Sequence, residues 1–174
     1  MGEIKPVELV KLFCGMIAGN EPLFRKAQDR LTALFGDIDI ESDVFPFNDT
    51  DYYQKEMGTN LLRKFVSFSK NIDPSEIAGI KLSTNKIEQE MAVLNDGTNR
   101  RAVNLDPGYV TPDKVVLATT KNFSHRIYLR DGIFAEFTMH FKKKGCAYFD
   151  WTYPDFKSGR YTNFFMKIRQ CLLT

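Results

Sequence analysis

The order in which strand-like and helix-like segments follow one another constrains this chain most. Leu9 to Met16 is apolar and tolerably alternating, which predicts a buried first strand. Asn20 then offers a helix cap, with Pro22 in the first turn, where its missing N–H does no harm. Phe24, Ala27, Leu31, Leu34 and Phe35 repeat at helical spacing, and Gly36 supplies the stop. Ile38 to Phe47 and Leu61 to Ser69 read as two extended runs, the first ended by Pro46. Asp73-Pro74-Ser75-Glu76 combines a cap, a first-turn proline and a Glu three residues after the cap. Behind it Ile77, Ile80, Thr84, Ile87, Met91 and Leu94 share one helix face, closed by Asn95-Asp96-Gly97, and Ala102 to Leu105 reads as a short strand. Strand–helix–strand–strand–helix–strand is the split-βαβ order, so the first hundred residues predict a ferredoxin-like core. The competing arrangement is a larger mixed sheet, in which the strands of residues 125–149 extend the same layer.

Beyond the core, Thr111-Pro112 predicts a short helix through Thr120. His125 to Phe141 predicts a hairpin turning at Asp131-Gly132, a strong two-residue turn signal. Gly145 turns the chain into Cys146 to Phe149. Tyr161, Phe164, Phe165, Ile168 and Leu172 give a last amphipathic helix with Ser158 as its cap. The expected fold is therefore α+β: one domain over residues 1–174, with a ferredoxin-like core, an added C-terminal hairpin and helix, and a mixed, mostly antiparallel sheet.

Composition excludes more than it assigns. At 174 residues the chain can bury a core without metal or disulfide staples. Its 24 Lys and Arg nearly balance 22 Asp and Glu, so no overall field favours nucleic acid or a membrane surface. Lys142-Lys143-Lys144 reads as a solvated turn. Cys14, Cys146 and Cys171 have neither zinc-ligand nor C-x-x-C spacing, and Cys14 and Cys171 fall on apolar stripes as buried thiols. Lys5, Pro6, Glu8 and Lys11 interrupt any signal-peptide core, and no apolar run approaches the roughly 20 residues of a membrane helix. The chain reads as cytosolic.

Chemically versatile side chains gather where apolar segments begin or end, at Asp49 to Tyr53, Asn104 to Tyr109, His125-Arg126 and Asp150 to Asp155. Such junctions are rigidly held yet reachable from solvent, so a loop-built site is expected there. Its candidate catalytic residues are His125, Asp106 and Asp51. The candidate ligand-binding residues are Arg126, Lys121, Asn104, Tyr109, Tyr52 and Trp151. Arg126 with Lys121 suits a carboxylate or phosphate, because guanidinium offers a planar fork of donors. If Asp131-Gly132 is a two-residue turn, His125 pairs with Thr138, and Glu136 and His140 become its diagonal neighbours. That patch is first a half-buried polar surface, with acid–base or metal chemistry as alternatives; no metal is assigned. Pro107-Gly108 suits a type II turn, Asp49 to Glu56 lacks the EF-hand pattern, and Trp151-Thr152-Tyr153-Pro154 suits a clamp on the last helix. No phosphate loop, dinucleotide fingerprint, nucleophile elbow or paired His-x-Ser/Thr motif is present, so no cofactor is named.

Phe45-Pro46-Phe47, Thr50-Asp51-Tyr52-Tyr53 with Glu56-Met57-Gly58, Val103 to Tyr109, Ala118-Thr119-Thr120-Lys121, His125 to Leu129 and Trp151-Thr152-Tyr153-Pro154-Asp155 together resemble a bacterial family, domain of unknown function 4416. The resemblance covers nearly the whole chain. It implies a stand-alone bacterial domain with no established activity, and its shared motifs fall on the same four clusters. Three functions stay open: a site for a small anionic ligand, enzymatic or sensory; a non-catalytic interaction module with Tyr- and Trp-rich loops; and, least favoured by the charge balance, a nucleic-acid binder.

Overall fold

A computed structural model of the chain describes residues 2–95, 98–143 and 145–173. In chain order it contains β1 (Val10–Ala18), α1 (Glu21–Phe35), β2 (Ile38–Glu41), β3 (Phe45–Pro46), α2 (Gln54–Met57), β4 (Leu62–Ile72), α3 (Ile77–Glu90), β5 (Val93–Asn95), β6 (Thr98–Arg100) and β7 (Val103–Val110). β8 (Lys114–Thr119), β9 (Arg126–Arg130), β10 (Ile133–Phe141), β11 (Cys146–Tyr148), α4 (Pro154–Lys157) and α5 (Thr162–Leu173) follow. Nine strands form one open sheet in the order β11-β10-β8-β7-β1-β4-β2, with β3 also on β4 and β9 also on β10. Every pairing in it is antiparallel. β5 and β6 pair apart from it. Among the described residues no helix is long and apolar enough to cross a membrane.

The central strand β1 is buried along its whole length, because it feeds a core on each side of the sheet. Leu12, Cys14, Met16 and Ala18 pack with Val66, Phe68, Val103 and Leu105 beneath α1 and α3. Phe13 and Phe65 pack on the other face with Phe156, Tyr161 and the α5 residues Phe164, Phe165 and Ile168. The result is three layers, helix–sheet–helix.

Local signals account for the helices. Asn20 accepts a hydrogen bond from the Leu23 N–H at 3.1 Å, and Gly36 ends α1 at φ 92°, a backbone state that glycine adopts freely. Leu34 lies off the buried face of that helix, at 57% exposure. Asp73 and Glu76 form the reciprocal capping box, at 2.8 and 3.0 Å, although a 3-10 turn at Pro74–Glu76 precedes α3. α3 ends at Glu90, so Leu94 belongs to β5 rather than to the helix face; the Asp96-Gly97 stop and Lys144 lie outside the described residues.

Elsewhere the structure departs from expectation. Pro107-Gly108 is no turn, because β7 runs straight through it. Residues 114–119, expected as a helix, form β8, where Val115, Val116 and Leu117 fit a pleated, buried surface. Thr111 instead closes the intervening turn, its Oγ1 accepting from the Lys114 N–H at 3.1 Å. Asp131 and Gly132 do form the hairpin turn, at φ 53° and 75°. A bulge after Ile133 shifts the register by one residue, however, so Glu136 stands opposite Arg126 and not Ile127, and His125 precedes the strand. Ser158 ends α4 and does not cap α5, and Cys171 is exposed.

Gly108 leaves room for its neighbours on the two flanking strands, β1 and β8. A Cβ there would lie 2.4 Å from the Val116 carbonyl oxygen and 2.6 Å from the Phe13 ring. Gly108→Ala is expected to lower stability by about 1–3 kcal/mol through overpacking, read as a lower urea midpoint with an unchanged denaturant slope.

Candidate functional site

The sheet divides in its middle. β7 and β8 pair only from Gly108↔Leu117 to Val110↔Val115. Beyond that point β7 stays on β1 as far as Val103, while β8 continues on β10 through Ala118 and Thr119. The backbone left unpaired is met by side chains of α3. Glu88 accepts from the Leu105 N–H at 2.6 Å, and the buried Lys81 ammonium donates to the Leu105 carbonyl at 2.7 Å. Two residues on, Pro107 points the same way with no N–H to satisfy, which is how a proline sits inside a sheet here.

A two-lobed cleft occupies this fork. The first lobe, about 360 Å³, opens toward α4 and has aromatic walls that include Phe47, Tyr53, Tyr153 and Phe156. The second, about 560 Å³, runs toward α3 past Lys81, Glu88, Arg101 and Asn104. Tyr52, Tyr53, Asp106, Thr119, Lys121 and Tyr153 border both.

Arg63 of β4 lies at the base of the first lobe, only 3% exposed. Its guanidinium crosses the central strand above Gly15, where a Cβ would come within 2.8 Å of Nη2, and stacks 4.7 Å from the Phe65 ring centroid. From β7, Asp106 accepts its Nη1 hydrogen bond at 3.0 Å. Asp106 also accepts from Asn104, which in turn accepts from Arg101 at 2.7 Å, so the ion pair belongs to a network linking both lobes.

Four carboxyl groups line the first lobe. Asp49 is paired with Arg160, Asp106 with Arg63, and Glu136 with Arg126 at 2.8 Å. Asp155 has no such partner among the described residues: Tyr161 Oη donates to it at 3.1 Å. Burial pushes the Asp155 carboxyl above the ordinary range, against the pull of nearby Arg63. Two buried side-chain polar atoms lack a hydrogen-bond partner among the described residues, Arg63 Nε and Asp49 Oδ2, and both residues line this lobe. At the mouth, Lys121 Nζ sits 3.8 Å from the Tyr52 ring centroid and 2.6 Å from its hydroxyl.

The expected site residues divide between the cleft and its surroundings. Asp106, Lys121 and Tyr52 border both lobes, and Asn104 borders the second. His125 and Arg126 stand behind the lining, holding Glu136 at 3.2 and 2.8 Å; Arg126 also donates to the Lys121 carbonyl and to Tyr153 Oη. Asp51 accepts from Gln54 on the exposed loop before α2. Tyr109 packs against the core beneath α1 and α3. Trp151 is stacked between His125 and Phe149, its Nε1 donating to the Phe137 carbonyl. Of Asp51, Asp106, His125 and Arg126, then, only Asp106 lines the cleft. His140 faces the rings of Phe137 and Phe149, so the His125–Glu136–His140 group does not assemble; among the described residues no three His, Cys, Asp or Glu side chains are grouped to hold a metal.

Asp49, Tyr53, Tyr153 and Asp155 lie in the expected clusters without being singled out there, and Arg63 lies outside those clusters. Two signals pointed to Arg63: a lone glycine, Gly15, inside an apolar strand marks a close approach, and Arg63 interrupts an otherwise buried-type run. Asp155 stands in the expected Asp150 to Asp155 cluster, but its lack of an arginine partner depends on which arginines reach the other three carboxylates, which no local pattern shows.

Fold and cleft define an α+β domain whose antiparallel sheet forks around a charged, aromatic-walled cavity. This chain belongs to the family described as Domain of unknown function (DUF4416), whose model matches residues 8–171. No curated protein and no solved structure matches it.

A carboxyl held above its unfolded range folds with more protons bound than the unfolded chain, so stability falls as pH rises from the unfolded Asp value of about 3.9 through the raised folded one. Asp155→Asn removes that titration. Urea midpoints of the two proteins at a series of pH values are expected to diverge in favour of Asp155→Asn as pH rises through that window, and to run parallel above it.

Proposed function

We propose that this domain binds a small anionic organic molecule in the forked cleft, with the anionic group against Arg63 and Lys121 and the apolar body between Phe47, Tyr53, Tyr153 and Phe156. One observation carries the reading: among the described residues, the two buried side-chain polar atoms without partners, Arg63 Nε and Asp49 Oδ2, belong to residues of one cavity. A buried donor or acceptor left unpaired costs about 1–3 kcal/mol, and a ligand with matching groups removes that cost. His125 and Arg126 act in this reading as positioning residues for Glu136, and Asn104 as one for Asp106. We also infer a ferredoxin-like core, supported by the order β7-β1-β4-β2 with α1 and α3 packed on one face.

A second function, contact with a protein partner, is favoured by a single surface. Phe123, Ile127, Tyr128 and Leu129 are exposed on and beside the edge strand β9. It does not account for the unpartnered buried groups of the cleft.

A thermal-shift series with sulfate, phosphate and small carboxylates separates the two. An anion at about 100 times its Kd adds about 2.7 kcal/mol to stability, a rise of several degrees for a chain of this length. Lys121→Ala, at an exposed position, is expected to weaken binding about 3- to 10-fold while folding normally. The pair replacement of Arg63 by Met and Asp106 by Asn, which leaves no lone buried charge, is expected to abolish the shift. A native protein whose melting temperature ignores every anion would return the assignment to the interaction surface.

A further inference from the structure

The four carboxyl groups of the first lobe are unequal, and the inequality has a chemical use. Asp49, Asp106 and Glu136 each face an arginine within hydrogen-bond reach, whereas Asp155, 4% exposed, faces none among the described residues. Tyr161 donates to its carboxyl, and the backbone N–H of Phe156 also favours its ionised form. The charged groups around it are Arg63 from β4, Asp49 from the loop after β3, and Arg160 beside Tyr161, which is committed to Asp49 and to the Pro46 carbonyl. Across the lobe stand Asp106, Glu136 and Lys121. Among the described residues Arg63 is the cation that most favours the ionised form of Asp155, and it already holds Asp106.

We propose that Asp155 is the proton-holding group of the cleft: an oxyanion seated against Arg63 draws one proton from solvent onto Asp155, which then donates a hydrogen bond to the bound oxyanion. This rests on the anion reading of the cleft and adds to it the ligand chemistry, an oxygen anion captured together with a proton, and a named group placed as a general acid. The reason is electrostatic. A second negative charge at Arg63 offsets the attraction that favours the ionised form of Asp155, while protonation turns a repelling acceptor into a donor.

The sign of the pH dependence follows. Bound anion favours protonated Asp155, so affinity rises as pH falls between the titration points of the bound and free protein, by up to about tenfold per unit for one linked proton. It is flat above both points and flat below both.

Calorimetric titration with sulfate, which does not itself titrate at these pH values, in buffers of different ionisation enthalpy counts the protons taken up. The native protein is expected to take up a fraction of a proton, approaching about one, per sulfate within the linked window. Asp155→Asn, neutral at every pH, is expected to bind sulfate with no uptake and no pH dependence. His140→Gln, at a side chain that faces the Phe137 and Phe149 rings outside the lobe, should retain the uptake. Native binding without proton uptake, or uptake that survives in Asp155→Asn, overturns the proposal while leaving the anion site standing. Absence of sulfate binding by natively folded protein at every pH overturns the anion reading, and this inference with it.

Discussion

Arg63 crossing the central strand to meet Asp106 is the contact around which the rest of the molecule is arranged. A guanidinium can lie there only because Gly15 has no side chain, and Asp106 with a surrounding aromatic face offsets the hydration its charge gives up. Phe47, Phe65 and Phe156 come from the loop after β3, from β4 and from α4, and their rings stand within 6 Å of the Arg63 guanidinium carbon. Once the charge is fixed at that point, the groups that answer it, Asn104 behind Asp106 and Arg101 behind Asn104, are placed by ordinary hydrogen-bond geometry.

The fork in the sheet supplies the space. Two strands that separate expose backbone groups that must be paired, and α3 pairs them with Lys81 and Glu88 rather than with another strand. A helix that elsewhere packs with apolar residues thus becomes one wall of a polar cleft. Burial raises the Glu88 carboxyl above its usual range, against the pull of Lys81, so the closure of the fork itself carries an electrostatic cost. The 47–53 loop and the 153–156 segment then roof the first lobe, tied together by Arg160, which donates to Pro46 and Asp49 from the far side.

Much of this was legible residue by residue. The caps at Asn20 and Asp73 and the turn at Asp131-Gly132 are local interactions, decided by side chains within three or four residues of the backbone they satisfy. The misplaced elements share one physical reason. Pro107-Gly108 has the composition of a turn, yet it lies in a strand because its outer edge faces the open fork, where no N–H is demanded. Thr111-Pro112 looked like a helix start, but the Val115–Leu117 run is drawn into the sheet by neighbours on both sides. In the hairpin, the turn was right and the bulge after Ile133 was not visible, and one residue of slip moved His125 out of the ladder.

By itself the sequence determined an α+β fold with a mostly antiparallel sheet, the helices α1 and α3, and the stretches from which polar chemistry would come, because these depend on periodicity, capping and turn conformation near each residue. It also marked Asp106, Asn104, Lys121 and Tyr52 as worth watching. Only the tertiary structure decided which of the polar groups share a space. Asp51, Tyr109 and Trp151 turn elsewhere, His125 and Arg126 stand one layer back, and Arg63 and Asp155 come forward. Convergence of side chains from β4, β7, β10 and the 153–156 segment is fixed by strand order and by the parting of β7 from β8, long-range pairings that no local pattern encodes.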